Sequence, residues 1–390
     1  MPLGETLTNS WHHIQGFLFP LLREAVGTLT AQHERLVVVV DVARIEAFVR
    51  MWPGLPGRPP EDRHALARAF VAKAVLNLAT TSGLIERLAV DATLRRLCGW
   101  ERASQVPSES TFSRAFAEFA ASALPSRVHE ALIKRTHADR LVGHIARDAT
   151  AIEAREKPVK SAPPAPLPVP AAVPEEAPVE TKRKRGRPRK GGVSAAKPPR
   201  RLALQAGMSL REMLADLPTA CSVGVKRDAH GHTTRWIGYK LHIDTADGDI
   251  PVSCLLTSAS VHDSQVAIPL ARMTAGRVTN LYDLMDSAYD ALEIWAMSRT
   301  LGHVPIIDAN PRRAGTAKAK AEARARRCAG YSLAEDIRYR ARGSAERVNG
   351  ALKDRHGGRF VRVRGHAKVL CHLMFGILAL TVEQLMRLVV

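Results

Sequence analysis

The sequence predicts an α/β protein in which a mixed β-sheet flanked by helices follows an all-α N-terminal region. Apolar residues recur at helical spacing through residues 1–140, alternating strand-like runs begin near residue 236, and a proline-rich stretch separates the two regions. We predict a helical DNA-binding or assembly domain at 1–140 and the first strand of the sheet domain at 141–156. Residues 157–200 are predicted to be a disordered insertion, and 201–390 the remainder of the sheet domain.

The N-terminal region carries one long helical pattern and one capped helix start. Arg63–Leu97 places its leucines at near-helical spacing, and "PSESTFSRAF" offers a helix start with phenylalanines on one side. An exposed Arg114 on that second helix would suit a DNA-binding helix-turn-helix, and a plain helical bundle is the alternative. The run "LVVVV" at Leu36–Val40 fits either a strand or the buried face of a helix.

The composition points to a polyanionic partner. The chain has 57 Lys and Arg against 38 Asp and Glu, a formal charge of +19, which makes nucleic acid the first candidate. The five cysteines include no C-x-x-C pair, so neither a disulfide framework nor a zinc ribbon is indicated. The apolar run Val369–Val382 is too short to span a bilayer and is predicted to be a core helix. With no signal peptide evident, these features predict a cytoplasmic, nucleoid-associated protein with no membrane partner.

The insertion ends in a basic motif. Residues 157–199 hold 11 of the chain's 24 prolines, so no packed core can form there. They lead into "KRKRGRPRKGG", whose G-R-P centre resembles an AT-hook. Arg185, Arg187 and Arg189 would then contact an A·T-rich minor groove and its phosphates. A basic spacer without groove preference, or a charge run that solvates a linker, is the alternative.

The second half alternates strands and helices. "VGHIARDATAI" is predicted to be a strand ending around Asp148, and "WIGYKLHID", "ADGD" and "IPVSCLL" together predict a β-hairpin with an Asp-Gly turn. The next segments are predicted as helix, strand, helix and strand in the order "VHDSQVAIPLARM", "VTNLYDLMD", "YDALEIWAMSRTLG" and "HVPIIDA". A basic segment, Arg312–Arg327, follows and is predicted to be a DNA-tracking loop, with a disordered charge run as the alternative.

One helix near the C-terminus carries an isolated acid among cations. Taken as a helix, Tyr339–Gly358 collects its polar side chains within an arc of roughly 80°. Small and apolar residues form another face, able to lie against a sheet, and two glycines end the helix. The polar stripe consists of Tyr339, Arg342, Glu346, Asn349 and Lys353. A solvated i,i+4 ion pair between Arg342 and Glu346 is the alternative interpretation.

Three acids form a candidate metal site. Asp148 and Asp286 each lie near the end of a predicted strand, and Glu346 lies on the helix above. Brought together they would supply the oxygen ligands that Mg²⁺ prefers, and a pair of such ions can drive phosphodiester chemistry. Asp283 or Asp290 could replace Asp286. Asp286 is preferred because Asp283 falls inside its strand and Asp290 where a helix N-cap carboxylate is favoured.

The spacing Tyr339-x₂-Arg342-x₃-Glu346-x₆-Lys353 resembles the Y-R-E-K signature of bacterial insertion-sequence DDE transposases. "DAT" at Asp148 and "DSAYD" at Asp286 are similar to that family's first two acidic blocks, and the N-terminal helical region resembles the domain that precedes the catalytic part in one branch. The likeness covers most of the chain apart from the insertion, which is a departure from the family pattern.

The resemblance implies an RNase H-like catalytic domain and a transposase that nicks transposon ends and joins 3′-hydroxyls to target DNA. It implies Asp148, Asp286 and Glu346 as ligands of two Mg²⁺ ions, for which Mn²⁺ can substitute. Four residues of the polar stripe are expected to contact DNA, namely Tyr339, Arg342, Asn349 and Lys353. The partners expected are transposon-end DNA, target DNA and a second copy of the chain. The alternatives are an RNase H-like nuclease and a non-catalytic AT-hook DNA-binding protein.

Overall fold

The computed structural model of the chain describes residues 3–50, 61–138, 140–159, 199–227, 232–310 and 316–389. The predicted AT-hook arginines, Arg185, Arg187 and Arg189, lie outside the described residues. So does most of the predicted insertion.

The N-terminal region is helical, as predicted. Leu36–Val40 lies within a helix, which decides between the two structures left open by its sequence, and the three phenylalanines of "TFSRAFAEF" are all buried. Arg114 is exposed on its helix, as the helix-turn-helix hypothesis requires. The helices are α1 Leu3–His13, α2 Phe19–Val26, α3 Ala31–Ala43, α4 Arg63–Val75, α5 Thr81–Val90, α6 Ala92–Cys98, α7 Glu109–Ala121 and α8 Leu124–His137.

A mixed six-stranded sheet follows, which confirms the predicted fold class. Strand β3 is long enough to pair with β1 along one edge and with β2 and β4 along the other, all antiparallel, whereas β1, β5 and β6 run parallel. The parallel side is reached through helical crossovers, as parallel strands require. The strands are β1 Leu141–Glu153, β2 Ser222–Arg227, β3 Thr233–Ala246, β4 Ile250–Ser258, β5 Thr279–Met285 and β6 Val304–Ile307.

The predicted hairpin is β3 and β4. Its turn places Gly248 at φ 78° and Asp249 at φ 59°, a left-handed region in which Gly and Asp are tolerated best. The prediction for β1 was wrong in one respect, because the strand continues to Glu153 and leaves Asp148 in its interior. The reason is tertiary, since β3 pairs with β1 through Glu153↔Gly238 and so extends the strand.

The helices of the second half lie against the sheet. Helix α11 contacts β3 and β4, while α15 contacts β1 and β3. The predicted small-residue face of α15 is confirmed, because Ala345, Val348 and Leu352 are fully buried. The helices are α9 Arg201–Gln205, α10 Leu210–Asp216, α11 Ser264–Ala275, α12 Leu292–Thr300, α13 Thr316–Cys328, α14 Ala334–Tyr339, α15 Gly343–Arg355 and α16 His366–Met386.

Helix α16 joins the N-terminal helices to the sheet domain. It contacts α3, α4, α7 and α8 on one side and β4 and α15 on the other. Its residues therefore enter two hydrophobic clusters, one shared with the helical region and one with the sheet. Among the described residues α16 alone is long and apolar enough to cross a membrane, but it is largely buried inside the protein. Its burial is that of a core helix, as predicted, but the prediction that it is too short to span a bilayer was wrong, because the helix extends beyond Val369–Val382 to His366–Met386.

Candidate active site

Asp148 lies within β1, and Asp286 directly follows the end of the neighbouring parallel strand β5. Strands β1 and β5 pair in the register Ala146↔Leu284, and each aspartate follows two residues later. Because side chains alternate along a strand, both aspartates project from the same face as those paired residues. The two carboxylates are close enough that the charge of Asp286 raises the pKa of Asp148.

The environment of Asp148 favours its protonated form. Burial, and then the nearby charge of Asp286, raise the pKa of the Asp148 carboxyl, against a backbone hydrogen bond from Ala149 and the charge of Arg342. Its Oδ2 accepts a hydrogen bond of 3.1 Å from Nδ2 of Asn349. Asn349 itself is buried, and its Oδ1 has no hydrogen-bond partner. A desolvated carboxylate with little compensating charge is a favourable place for a bound cation.

Asp286 is held by its own turn. Its Oδ1 accepts a 2.9 Å hydrogen bond from the amide of Ala288, so it caps the short 3₁₀ turn Ser287–Tyr289 that follows β5. Burial raises its pKa, and the charge of Asp263 adds to that effect. Asp286 therefore resembles Asp148, because both are partly buried and both keep a raised pKa although the charges of Arg342 and Lys226 oppose it.

Glu346 lies in the first turn of α15 and is paired with a cation. Its Oε1 is 2.6 Å from an η-nitrogen of Arg342, and 60% of its side chain is exposed. The i,i+4 pair considered from the sequence therefore exists. Glu346 precedes Asn349 by three residues, and residues three apart are neighbours on a helix surface, so it lies on the side of α15 that reaches Asp148.

The helix carrying this acid is not continuous. The prediction of one helix from Tyr339 was wrong, because α14 ends at Tyr339, a 3₁₀ turn spans Arg340–Arg342 and α15 begins at Gly343. Arg342 lies 5.8 Å from the ring centroid of Tyr339, and its charge lowers the pKa of Asp286. The end of α15 is as predicted, since Gly357 adopts φ 79° and the amide of Gly358 bonds the carbonyl of Leu352.

The carboxylates are not assembled as a closed metal site. Within the described ranges, no group of three or more His, Cys, Asp or Glu residues is arranged to hold a metal ion. Asp148 and Asp286 are brought together, whereas Glu346 is drawn towards Arg342.

The alternative acids have structural partners. Asp283 lies inside β5, as predicted, and is buried against the ring of His303 and the amide of Asn280. Although burial opposes it, the hydrogen bond from His303 lowers the pKa of Asp283. The N-cap prediction for Asp290 was wrong, because Ala291 occupies that position and Asp290 instead accepts hydrogen bonds from the Trp295 indole and the Asn310 amide.

Two residues near the pair were missed from the sequence, and a third, Tyr289, was noted there only as part of the block "DSAYD". The charge of Lys226, on β2, lowers the pKa of both Asp148 and Asp286, and Asp263 lies close enough to raise that of Asp286. Tyr289 is fully buried, and its hydroxyl has no hydrogen-bond partner. Lys226 carried no motif signal, because it approaches the aspartates only through the pairing of β2 with β3. The block "ASVHDS", which contains Asp263, is similar to one in the family that the sequence resembles, but no role was assigned to Asp263 from it.

The basic segment after β6 is helical where it is described. Thr316–Cys328 forms α13, so the prediction of a loop was wrong for these residues, and Arg312 to Gly315 lie outside the described part. Its alanines alternate with long cationic side chains, and both are good helix formers.

Two protein families match parts of the chain, one in the helical region and one in the sheet domain. The family described as "Transposase DDE domain" matches residues 216–382, and the family described as "Transposase domain (DUF772)" matches residues 28–118. No match was found among curated proteins or among solved structures.

Proposed function

Because the chain belongs to the insertion-sequence DDE transposases, we propose that it nicks DNA at transposon ends and transfers the freed 3′-hydroxyls into target DNA. The observation that carries this proposal is the approach of Asp148, on β1, to Asp286, which directly follows the adjacent parallel strand β5. Two half-buried carboxylates with raised pKa values are unusual unless a cation or a proton compensates them.

The donor set fits a divalent metal. Asp148, Asp286 and Glu346 offer hard carboxylate oxygens, which suit Mg²⁺ or Mn²⁺. The unpartnered Oδ1 of Asn349 is a further polar atom beside Asp148. When bound, a pair of Mg²⁺ ions would supply Lewis-acid stabilisation of the attacking and leaving oxygens.

The chain's own residues prepare the site in three ways. Asn349 orients the Asp148 carboxylate through its amide, and the Ala288 amide orients Asp286. Arg342 holds Glu346 in the free protein. Release of Glu346 towards the aspartates would free the Arg342 guanidinium for a DNA phosphate, to which its planar donors are well suited.

The DNA-contacting surface is proposed to surround this pair. Tyr339 is half-buried, and burial raises its pKa, so it remains a neutral phenol able to donate a hydrogen bond or stack at a strand end. Lys353 lies on α15 about two turns beyond Glu346, which extends the basic surface by about 10 Å. A homodimer on paired ends, and the AT-hook contribution of residues 185–189, remain part of the proposal.

The test is cleavage of a labelled duplex carrying the element's terminal repeat. We expect Mg²⁺-dependent nicking by the intact protein, loss of nicking in Glu346→Gln with DNA binding retained, and no nicking in EDTA. Glu335→Gln is the matched control, because Glu335 is an exposed glutamate in the first turn of α14.

Other outcomes would contradict parts of the proposal. Nicking that persists in Glu346→Gln would remove Glu346 from the site. Cleavage that ignores the end sequence would favour an RNase H-like nuclease, and tight metal-indifferent binding without nicking would favour a DNA-binding role alone.

A further inference from the structure

A basic groove lies beyond the end of β1, next to the candidate active site. It has a volume of about 450 Å³ and is bordered by the end of β1, by α15 and by the loop that follows α15. Four cations and one acid line it, namely Arg155, Lys353, Arg359, Arg362 and Glu153. We call this feature the β1–α15 groove.

Phe360 lies in the wall of the groove and is 48% exposed. The next residue, Val361, is buried in the core formed with β3, α15 and α16, so the loop is anchored directly beside the exposed ring. The Phe360 amide also bonds the carbonyl of Gly357 at 3.3 Å. An exposed phenylalanine on an anchored backbone is preorganised to stack on a planar group.

The loop is also tied to the chain that leaves β1. The Arg364 guanidinium donates to the carbonyl of Arg155 at 3.0 Å, and the Gly365 amide donates to the Glu156 carboxylate at 3.2 Å. Glu156 is in turn held by the Tyr239 hydroxyl at 2.7 Å. These contacts fix both walls of the groove relative to each other.

The cations of the groove are only partly compensated. Arg359 pairs with Asp354 at 2.5 Å, but both side chains are more than half exposed, so that pair is weak. Burial lowers the pKa of Lys353, and the charges of Arg359 and Lys226 lower it further. Mutual repulsion among these cations would be relieved by a phosphate.

The groove begins close to the aspartates. Ala151, in its lining, follows Asp148 by three residues on β1, or about 10 Å. Lys353 follows Glu346 by seven residues on α15, again about 10 Å. Stacked nucleotides in one strand are about 3.4 Å apart, so a strand end at Asp148 would enter the groove within a few nucleotides.

From the cavity, the aromatic ring and the cations, we infer that the β1–α15 groove binds an unpaired DNA strand, with one base stacked on Phe360 and its phosphates on Arg359 and Arg362. This inference rests on the proposed function for the identity of the ligand as DNA. A cavity of this volume is too small for a duplex, whereas one aromatic platform with a cationic rim is how single strands are bound without sequence readout.

The experiment measures binding of a short labelled oligothymidine in EDTA, so that cleavage plays no part. Phe360→Ala is expected to weaken binding roughly 5- to 100-fold, because one base loses its stacking surface. Phe17→Ala is the matched control, since Phe17 is a similarly exposed phenylalanine in the helical region. Arg362→Gln is expected to reduce the slope of log affinity against log salt by about 0.7.

A second readout reports stacking directly. With 2-aminopurine placed in the oligothymidine, the wild-type protein should quench its fluorescence, and Phe360→Leu should lose the quenching. Blunt duplex binding should change less than about twofold in Phe360→Ala, because a duplex base pair cannot reach the ring. Equal losses for oligothymidine and blunt duplex, or unchanged quenching in Phe360→Leu, would overturn the inference.

The two proposals can fail separately. If Glu346→Gln loses nicking but Phe360→Ala binds oligothymidine as tightly as the wild type, the proposed function stands and the inference about the groove is overturned. Strand binding that depends on Phe360 in a protein without nicking would leave the groove and remove the catalytic proposal.

Discussion

Arg147 and Asp148 are adjacent on β1 but belong to two different polar clusters. The two clusters differ in how their charges are balanced. Arg147 is buried and donates two hydrogen bonds, of 2.8 and 2.7 Å, to Asp244 on β3. Although burial opposes it, the Asp244 carboxylate raises the pKa of Arg147. Asp148 projects from the other face of the strand and has Asp286 as its neighbour.

In the scaffold cluster, which consists of Arg147, Asp244, Thr274, Asp283, Asn280 and His303, both acids are hydrogen-bonded. Asp244 also accepts a 2.6 Å hydrogen bond from Thr274, and Asp283 is bonded by Asn280 and His303. On the site face the cations Arg342 and Lys226 are near, but Arg342 is engaged by Glu346. The difference teaches that an acid bonded at both oxygens by a buried arginine maintains the fold, whereas Asp148 and Asp286, which have no such ion pair, are available to a ligand.

The largest expected effect is on catalysis, through Asp148 and Asp286 on the face of the sheet that carries the candidate active site. Asp148→Asn or Asp286→Asn should reduce end nicking by more than about 100-fold, because several kcal/mol of transition-state stabilisation depend on these carboxylates. Chemical denaturation should show unchanged or increased stability, since each change removes a desolvated charge. Asp336→Asn, in the exposed first turn of α14, is the control. A variant that unfolds more easily would contradict the comparison.

In the scaffold cluster we expect a loss of stability instead of a loss of catalysis. Arg147→Met should lower the free energy of unfolding by about 3–5 kcal/mol, because it leaves Asp244 buried without its cation. The double variant Arg147→Met/Asp244→Leu should recover most of that loss, as measured by urea denaturation. If the double variant is as unstable as the single one, the charge pair is not what fixes β1 to β3.

Acid pH should weaken the ion pairs that Glu383 makes with Arg35 and His356. Like Asp244 in the scaffold cluster, Glu383 lies directly beside an arginine. Although burial opposes it, the His356 ring nitrogen, 3.3 Å away, and the charge of Arg35 lower the pKa of Glu383 to about 2, below its unfolded value. A depressed carboxylate pKa stabilises the fold above the unfolded pKa, and that contribution is lost as pH falls towards 2.

Glu383→Gln should therefore cost about 1–2 kcal/mol at pH 6, a figure reduced because Glu383 is partly exposed. At pH 3 the difference from the wild type should narrow, as measured by denaturation at both pH values. A difference that stays constant with pH would mean that packing, not ionisation, accounts for the loss.

The smallest effect is expected for an exposed pair. Arg347 donates two hydrogen bonds of 2.7 Å to Asp249 in the β3–β4 turn, and 63% of its side chain is exposed. Arg347→Gln should change the free energy of unfolding by less than about 1 kcal/mol, because solvent screens the pair. A loss as large as that of Arg147→Met would show that burial does not decide how much the Arg147–Asp244 and Arg347–Asp249 pairs contribute to stability.

Much of the fold could be predicted because its signals are local. The alternation in β3 and β4 with an Asp-Gly turn, the small-residue face of α15 and the glycine that ends it are all encoded within a few residues. Where the pattern was local but ambiguous, as in Leu36–Val40, only packing against neighbouring helices decided for a helix.

The site was only partly predictable. The sequence put forward Asp148 and Asp286 and the register of β1 and β5 brings them together, but it gave no sign that Lys226 would lie beside them. It did not show that Asn349 would be buried against Asp148, nor that a 3₁₀ turn would interrupt the stripe at Arg340–Arg342. Contacts between residues up to 201 positions apart depend on strand order, which no local pattern contains.

By itself, the sequence determined the elements and the chemistry they can offer: helices and strands from periodicity, a polyanionic partner from charge, and carboxylates as candidate ligands. Only the tertiary structure decided which charges are paired. Arg147 and Asp148 are neighbours in the chain, yet the pleat of β1 sends one into a buried ion pair and the other to the open face beside Asp286.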